Sequence, residues 1–497
     1  MMRAWIESEP ELSFGKGNRH IDPKAGLSIF GPFVSEGQTG NMPGSINIAF
    51  IGPTNAVTLA EHWVRELNSY YAPGPGDNIL FPQFPGFEEI FRSRLQVPTA
   101  LKEVIPNRDV QRVLEISEDS KRVEETALLY TTRFEHFSSM SPQPNIIICA
   151  ISKEMEDYCW SSSSHKKPKG QKKLDTQIKK LRDAGQLFLT DFDEDIVPIV
   201  TTPKYGLNLR SRIKAGAMRN GIPTQLLLET TLSGAKSVQP LGTLAWNFSV
   251  GLFYKSGGFP WRLAQIRERT CFVGISFYKE KAEKIDTMGT SVAQVFDNTG
   301  EGLIIKGGRI QLTDDRWAAP HMTREIASQL SQKICSAYKD RNLSLPDRIV
   351  FHKTSRFWTE EIEGLEANLD GNIQTEYLAI EQGDHRIVRE GSYPPLRGTC
   401  LLLGPKEYLV YGIGYIPYLG TYPGPHVPNP LHIIDHKGES TPQRVCSELL
   451  SLTKLNWNTA QFCCGIPITI NIARKVSSIM SELGDDAPIK PSYRFYM

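Results

Sequence analysis

The sequence predicts an α/β protein made of two successive domains, a Rossmann-like layer followed by an RNase H-like fold. Strands alternate with helices as far as residue 258, and short strands divided by turn residues follow residue 270. A long amphipathic helix and a further strand come next, which is the element order of an RNase H-like fold. We place the domain boundary between residues 265 and 266.

The elements of the first domain are predicted from apolar runs and helical spacing. Residues 46–52 (INIAFIG) are typical of a buried strand, and residues 56–71 then have apolar side chains at helical spacing. A second buried strand is predicted at residues 144–152 (PNIIICAIS). The alternation continues to residues 243–258, and the Gly and Pro content of residues 257–270 is typical of a domain crossing.

The elements of the second domain are shorter at first and helical at the end. The predicted strands and helix, in chain order, are residues 271–277, 290–297, 301–308, the helix 323–340 and the strand 348–355. Two helices with apolar stripes, each with a Pro near its start, are predicted at residues 441–455 and 467–483.

The composition is that of an ordinary globular protein. The chain has 497 residues, 40% of them hydrophobic and 22% charged, and its formal net charge is +1. This balance excludes a protein that coats nucleic acid indiscriminately, so any binding of a polyanion must be local. No apolar run is long enough to span a bilayer, and the first residues lack a signal-peptide pattern. We therefore expect a cytoplasmic protein that does not act at a membrane.

The eight cysteines show no C-x-x-C pair, so we expect reduced thiols in the core. The adjacent Cys463 and Cys464 leave a redox or metal site as the alternative to burial. A polar loop at residues 161–173 is either a solvated surface loop, which is the favoured interpretation, or a contact to a nucleic-acid backbone. Its lysines are Lys166, Lys167, Lys169, Lys172 and Lys173.

Residues 209–229 (LRSRIKAGAMRNGIPTQLLLE) place cations ahead of a rigid turn. Arg210 and Lys214 are four residues apart and share one helix face. The turn at residues 221–223 presents Gln225, and Lys255 follows later in YKSGG. Three cations and an amide donor can converge on a terminal phosphate. A solvated basic helix face is the alternative.

The order of these four residues resembles the guide 5′-phosphate pocket in the MID domain of Argonaute proteins. The resemblance assigns pocket roles to Arg210, Lys214, Gln225 and Lys255. Members of the family often have a further Lys four residues before the last of these, where this chain has Gly251.

The resemblance extends over nearly the whole chain and is greatest with the short prokaryotic Argonautes. The matching segments are residues 9–17 and 22–33, GGFPW at 257–261, HKTSRFWTEE at 352–361, LTKLNWNT at 452–459 and YRFYM at 493–497. Short Argonautes have MID and PIWI domains and lack the N and PAZ domains. The resemblance thus implies an N-terminal segment with a MID domain over residues 1–265 and a PIWI domain over 266–497.

In cleaving members of the family, the PIWI domain holds two divalent metals with acidic ligands and a final Asp or His. The matching positions here are Ser276, Lys353 and Arg474. The resemblance therefore implies a catalytically inactive PIWI domain, in which the two cations pair with phosphates instead. His352 is either a general base or, as we favour, a hydrogen-bonded structural residue. The nearby acids are interpreted as solvated surface charges: Glu280, Asp286 and Glu360.

The resemblance implies a binding function for the chain. A 5′-phosphorylated guide RNA pairs with a complementary single-stranded DNA target, and Mg²⁺ bridges the phosphate to the C-terminal carboxylate of Met497. The implied partner carries an APAZ region joined to an effector, which is a TIR domain, a sirtuin-like domain or a nuclease. Such pairs act in prokaryotic defence. The alternative is a guide-directed nuclease that cuts the target itself.

Overall fold

The structure is a computed structural model. It describes these residues: 3–34, 42–74, 79–162, 207–233, 240–264, 269–278, 287–288, 291–296, 302–311, 321–390, 393–424, 427–483 and 489–497.

The strands are β1 (Arg3–Ile6), β2 (Leu12–Ser13), β3 (Arg19–His20), β4 (Ser45–Pro53), β5 (Arg94–Gln96), β6 (Lys102–Ile105), β7 (Ile146–Ile151), β8 (Thr224–Leu228), β9 (Arg262–Leu263), β10 (Thr270–Phe277), β11 (Thr287–Met288), β12 (Ser291–Phe296), β13 (Gly302–Lys306), β14 (Ile310–Gln311), β15 (Arg348–Lys353), β16 (Gln374–Gln382), β17 (Thr399–Gly404), β18 (Glu407–Val410) and β19 (Leu431–Lys437).

The α-helices are α1 (Pro23–Phe30), α2 (Thr54–Glu66), α3 (Phe87–Phe91), α4 (Asn107–Leu114), α5 (Asp119–Ser138), α6 (Lys153–Cys159), α7 (Leu209–Asn220), α8 (Glu229–Leu232), α9 (Leu241–Lys255), α10 (Arg324–Asn342), α11 (Thr359–Glu366), α12 (Pro442–Leu452) and α13 (Ile468–Leu483). Among the described residues, no helix is both long and apolar enough to cross a bilayer.

The first large sheet is parallel throughout. Strand β4 lies between β7 on one side and β5 and β6 on the other, and β8 pairs with β7. All six residues of β7 are buried, as expected for a strand that is covered on both faces. The apolar runs of the sequence therefore form the centre of a Rossmann-like layer.

Helices cover both faces of this parallel sheet. Ile146 and Ile148 of β7 pack in one core with side chains of α2 and α9, such as Trp63 and Trp246. The intervening residue, Ile147, packs in a second core with α5 and α7. Alternate strand residues thus fix helices α7 and α9, which carry the predicted cations, on opposite faces of one sheet.

The second large sheet has nine strands in the order β1-β17-β18-β19-β16-β15-β10-β12-β13. Strands β10, β12 and β13 form antiparallel hairpins, while β15 is parallel to both β10 and β16. Helix α10 lies between β14 and β15 in the chain and packs against β12 and β13. This is the predicted RNase H-like element order.

The first strand of the chain belongs to this second sheet. Strand β1 pairs antiparallel with β17, opposite residues 399–402. The predicted boundary at 265/266 falls in a segment outside the described residues, so it stays a prediction. Nevertheless, the pairing of β1 means that the N-terminal segment contributes to the sheet of the second domain. Four residues carry no sequence signal for so distant a partner.

A buried charge cluster fixes the N-terminal segment to the second domain. The Glu9 carboxylate accepts hydrogen bonds from Lys454 Nζ at 2.6 Å and from Arg397 Nε at 2.9 Å. Lys454 also donates to the carbonyl of Ile21 at 2.6 Å. Because both cations are buried, loss of Glu9 would leave two unpaired charges in the interior.

Helix α13 connects the two domains. Ser478 on α13 lies 2.7 Å, Oγ to Oγ, from Ser211 on α7. Glu482, also on α13, lies 3.0 Å from Arg212 Nε on α7. At its other end α13 packs along β10, where Thr469 contacts Gly274. One helix therefore touches both the first-domain cations and the central strand of the RNase H-like sheet.

All eight cysteines lie within the described residues and are free thiols. Cys463 and Cys464 are both buried, and burial raises the pKa of the Cys463 thiol. Raised thiol pKa and burial both oppose metal binding and oxidation, which require thiolate and access. The burial alternative is therefore the one that the structure favours.

Candidate nucleic-acid interface

The turn predicted between the basic helix and the next strand is present. Asn208 caps the start of helix α7, because its side chain accepts a hydrogen bond from the backbone of Ser211, and Gly221 follows the last residue of the helix. Gly221 has φ of 70°, in the left-handed region that glycine adopts without strain. Strand β8 begins three residues later and places Gln225 beside Ile148 of β7.

Two lysines lie buried on either side of this strand. Lys214 and Lys255 are each only 2% exposed. Lys214 Nζ donates to the carbonyl oxygen of Thr224 at 3.0 Å. Lys255 Nζ donates to Oε1 of Gln225, whose Nε2 in turn donates to the carbonyl of Leu226. The helical lysine, the amide and the later lysine therefore lie together at the start of β8.

The buried ammonium groups are held in an unfavourable electrostatic environment. Burial lowers the pKa of Lys214 well below its ordinary value, and the positive charges of Lys255 and Arg210 lower it further. The pKa of Lys255 is likewise lowered well below its ordinary value by burial, and then by Arg210 and Lys475. Mutual repulsion in a desolvated site favours an anion as the ligand.

Lys475 is a member of the cluster that the sequence analysis missed. It lies on α13 of the second domain, is 6% exposed, and acts on the pKa of both buried lysines. The sequence analysis singled out the adjacent Arg474, whose side chain lies outside the described residues. Lys475 acts on the first-domain lysines because α13 packs against α7, and this packing is a tertiary property.

The end of the chain packs against the same helices. The turn at Tyr493–Phe495 contacts α7 and α9, and Tyr496 and Met497 are buried. Arg494 lies close enough to Gly257 that a Cβ there would be 3.4 Å from its Nη1. Similarly, a Cβ on Gly221 would be 3.2 Å from Lys490 Nζ. The C-terminal segment therefore places two cations, Lys490 and Arg494, near the ends of α7 and α9.

At the three positions where metal ligands are expected, this chain has a serine, a lysine and an arginine. Ser276, on β10, lies 3.0 Å from Ser477 of α13, hydroxyl to hydroxyl. Lys353 is the last residue of β15. Arg474 is on α13, and only its backbone is described. Within the described residues, no group of three or more His, Cys, Asp or Glu side chains is arranged to hold a metal ion.

Lys353 differs from its expected role as a phosphate contact. It is 1% exposed, and its Nζ lies 2.6 Å from Oε2 of Glu361, which is itself fully buried. The ammonium also lies 4.7 Å from the ring centroid of Phe357. Burial lowers the pKa of Lys353, while Glu361 opposes that effect. The charge of Lys353 is therefore already paired inside the protein.

His352 has the contacts of a structural residue. It is 1% exposed, and its Nδ1 lies 2.8 Å from Oγ1 of Thr469 on α13. Burial lowers the pKa of His352 to about 3, and the nearby Arg348 contributes to this effect. The imidazole is therefore neutral near pH 7, as the structural interpretation predicts.

The remaining charged candidates are only partly described. The Glu360 side chain is 42% exposed, as expected for a surface charge, and its Oε1 also lies 3.0 Å from Nε2 of the buried His321. Glu280, Asp286 and the lysine-rich loop at residues 161–173 fall outside the described residues, apart from the first two serines of that loop.

The chain combines a parallel Rossmann-like sheet, an RNase H-like sheet and a buried cation cluster where the two domains meet, which is the fold of MID and PIWI domains. No family model matches the sequence. Protein argonaute of Aquifex aeolicus is 21% identical over 313 residues, which is 62% of this chain and 40% of that protein. The chain is thus similar in sequence to an Argonaute protein, and it spans less than half the length of this curated relative.

Solved structures of Argonaute and Piwi proteins have the same fold as this chain. Clostridium butyricum Argonaute, bound to a guide DNA and a 19-mer target DNA, matches with a TM-score of 0.62 at 15% identity. The match covers 98% of this chain and 54% of that one. Drosophila Piwi matches with a TM-score of 0.56 at 12% identity over 99% of this chain and 56% of that one. The predicted fold class is confirmed.

Proposed function

We propose that this chain is a guide-dependent nucleic-acid sensor. It binds the 5′ phosphate of an oligonucleotide guide, which we take to be RNA, and it recognises complementary single-stranded DNA by base pairing without cutting it. The observation that carries this proposal is the buried cluster in which Lys214, Lys255 and Gln225 meet Lys475 from the second domain.

A terminal phosphate is the anion that fits this cluster best. A phosphate monoester carries close to two negative charges near pH 7, so it offsets the repulsion between two buried ammonium groups. Each hydrogen bond between charged groups contributes about 1.5–3 kcal/mol. The phosphate of an internal linkage carries a single charge and has a nucleotide on either side. The buried position of both lysines therefore favours the end of a strand over its middle.

The proposal includes the absence of cleavage. Two-metal hydrolysis requires carboxylate ligands that hold two cations about 3.5–4 Å apart. At the corresponding positions this chain offers the Ser276 hydroxyl and a lysine already paired with Glu361. The Lys353 ammonium already pairs with the Glu361 carboxylate, so neither position offers Mg²⁺ a free carboxylate, which supports binding without cleavage. Cleavage of a matched target by the purified chain with guide and Mg²⁺ or Mn²⁺ would establish the alternative, a guide-directed nuclease.

Mg²⁺ at the guide phosphate is a further part of the proposal. Mg²⁺ commonly uses one or two carboxylates together with substrate phosphates and water. Met497 is buried beside a turn that packs against the two lysine-bearing helices, and its carboxylate is the ligand we propose for this ion. The ion would screen the repulsion between the carboxylate and the phosphate. Guide affinity that is unchanged by EDTA would remove Mg²⁺ from the proposal.

We expect a second protein to convert target binding into a response. We propose a partner with an APAZ region joined to an effector, which is a TIR domain, a sirtuin-like domain or a nuclease, acting against plasmids or phages in a prokaryote. This part of the proposal is supported by the resemblance to short Argonautes. Co-purification of the chain with the product of the neighbouring gene tests it.

Binding of matched guides with a 5′ phosphate or a 5′ hydroxyl tests the central claim. We expect the wild type to prefer the phosphorylated guide, and we expect Lys214→Met with Gln225→Ala to lose about 2–4 kcal/mol of that binding. Methionine keeps the apolar length of the buried lysine. Lys121→Ala, which removes an exposed lysine of α5, is the matched control. Equal binding of the two guides by the wild type would refute a terminal-phosphate site.

A further inference from the structure

Two aromatic rings are stacked at the end of the RNase H-like sheet. The rings of His321 and Trp358 are 4.0 Å apart, centroid to centroid, with an angle of 9° between their planes. His321 is 4% exposed, whereas Trp358 is 42% exposed. The indole therefore has one face covered by a buried imidazole, and a large part of the residue remains accessible to solvent.

The position of Trp358 is fixed by the buried carboxylate of Glu361. Its Oε2 accepts a hydrogen bond from the backbone nitrogen of Trp358 at 3.0 Å, as well as the bond from Lys353. Its Oε1 accepts from the backbone nitrogen of Met322, the residue that follows His321. One fully buried group thus holds both halves of the stacked pair, so little side-chain entropy remains to be lost when a ligand stacks on the indole.

The stacked pair lies at the edge of the sheet that a nucleic-acid strand would cross in a PIWI domain. Strands β10 and β15 are parallel, so their carboxyl ends lie at one edge of the sheet. Ser276 and Lys353 are at these ends, and Lys353 Nζ is 5.9 Å from the ring centroid of Phe277. Trp358 follows β15 by five residues. Arg356, between the strand end and Trp358, is also exposed.

We propose that Trp358, backed by His321, is a stacking platform for an unpaired nucleobase of the strand lying at this edge, with Arg356 beside the adjoining phosphate. Base stacking on an aromatic face is tolerant of sequence, since every base has a π face. This inference rests on the proposed function. It adds a base contact outside the phosphate cluster, close to the positions where the resemblance assigns only lost catalytic ligands.

The test combines variants of Trp358 with abasic substitutions in the nucleic acid. The full chain is loaded with a 5′-phosphorylated guide, and affinity is measured for oligonucleotides in which one base at a time, in guide or target, is removed. We expect Trp358→Ala to weaken binding by about 5- to 150-fold, and Trp358→Phe to remain within about threefold of the wild type. Tyr158→Ala, which removes another exposed aromatic ring, is the control.

The abasic series separates stacking from a structural role. A stacking platform predicts that one or two abasic positions weaken binding to the wild type and have no further effect on Trp358→Ala. A loss that is equal at every position, or Trp358→Phe behaving like Trp358→Ala, would overturn the platform and indicate a structural or protein-docking role. The preference for a 5′ phosphate is measured on the same samples. If that preference persists while the abasic series is flat, only this inference fails.

Discussion

Lys214 and Lys255 combine burial and like charge, and both effects act on the proton affinity of the ammonium groups. Because their pKa values are lowered in the folded chain, the unfolded chain holds more protons between those lowered values and the ordinary value of 10.5. Without guide, the free energy of unfolding should therefore rise with pH across that window. A bound phosphate stabilises the charged forms and reverses this linkage.

We predict that binding of a 5′-phosphorylated guide takes up protons at alkaline pH, because the phosphate raises the pKa of both buried lysines. Uptake should approach two protons once the pH exceeds their lowered pKa values in the free chain. Isothermal titration calorimetry between pH 7.5 and 9.5, in buffers of different ionisation enthalpy, measures this number. A 5′-hydroxyl guide is the control, and equal uptake with both guides would show that the lysines do not contact the phosphate.

His352 also makes the free energy of unfolding rise with pH, in this case in the acid range. Its pKa is about 3 in the folded chain, against an ordinary value of 6.5, so the unfolded chain gains a proton first as the pH falls. The stability contributed by the neutral imidazole is present above pH 6.5 and is lost toward pH 3, at about 1.4 kcal/mol per pH unit.

We predict that His352→Asn removes about 2 kcal/mol of the stability change between pH 7 and pH 5, since asparagine does not titrate. The shorter amide can keep the hydrogen bond that Nδ1 makes with Thr469. Urea unfolding of both proteins at the two pH values measures the difference. The same pH dependence in wild type and variant would contradict a neutral, buried His352.

At the scale of elements, the Lys353–Glu361 pair joins the end of β15 to the first turn of α11. We predict that Lys353→Met lowers the free energy of unfolding by about 3–5 kcal/mol, because it leaves Glu361 buried without its cation. The double variant Lys353→Met with Glu361→Gln should recover part of this loss, because glutamine carries no charge and its amide oxygen still accepts one of the two backbone hydrogen bonds. Chemical denaturation measures both values.

A larger loss in the double variant than in Lys353→Met would indicate that the pair is not the source of the effect.

The same contacts predict that Lys353→Asp fails to rebuild a metal site, even together with Asp at positions 276 and 474. It places a second carboxylate beside one that is already buried. An active nuclease from that triple variant would refute this argument.

The elements that the sequence predicts well are those set by local pattern. The run at residues 144–152 predicts β7, since six consecutive apolar residues fit a strand covered on both faces. The partner of β1 and the pairing of Lys353 are not local properties. Glu361 is visible in the sequence eight residues after Lys353, but only the turn between β15 and α11 brings the two charges together.

Some residues of the phosphate cluster can likewise be predicted from local pattern, and others cannot. The spacing of Arg210, Lys214 and the turn before Gln225 is readable because a helix and a tight turn fix it within a few residues. Lys475 enters from a helix more than 200 residues further along the chain. Its contribution depends on the packing of α13 against α7, which no periodicity in either segment encodes.

For the whole molecule, α13 is the element shared by the two domains. We predict that a 5′-phosphorylated guide slows amide hydrogen exchange across residues 468–483, because the phosphate fixes Lys475 and so holds the helix. Peptides from α10 serve as the internal reference. Hydrogen-exchange mass spectrometry with wild type and Lys475→Met measures the effect, and protection that persists in the variant would contradict a role for this lysine.

The buried carboxylate of Glu361 also limits how this lineage can change by mutation. A single nucleotide change converts a lysine codon to a glutamate codon, but at position 353 it would set two carboxylates against each other in the interior. Losing Glu361 first would release Lys353, Trp358 and Met322 together. Either first step lowers stability before a metal site is complete. Selection for cleavage would therefore have to replace both residues of the pair at once, because each single replacement is destabilising.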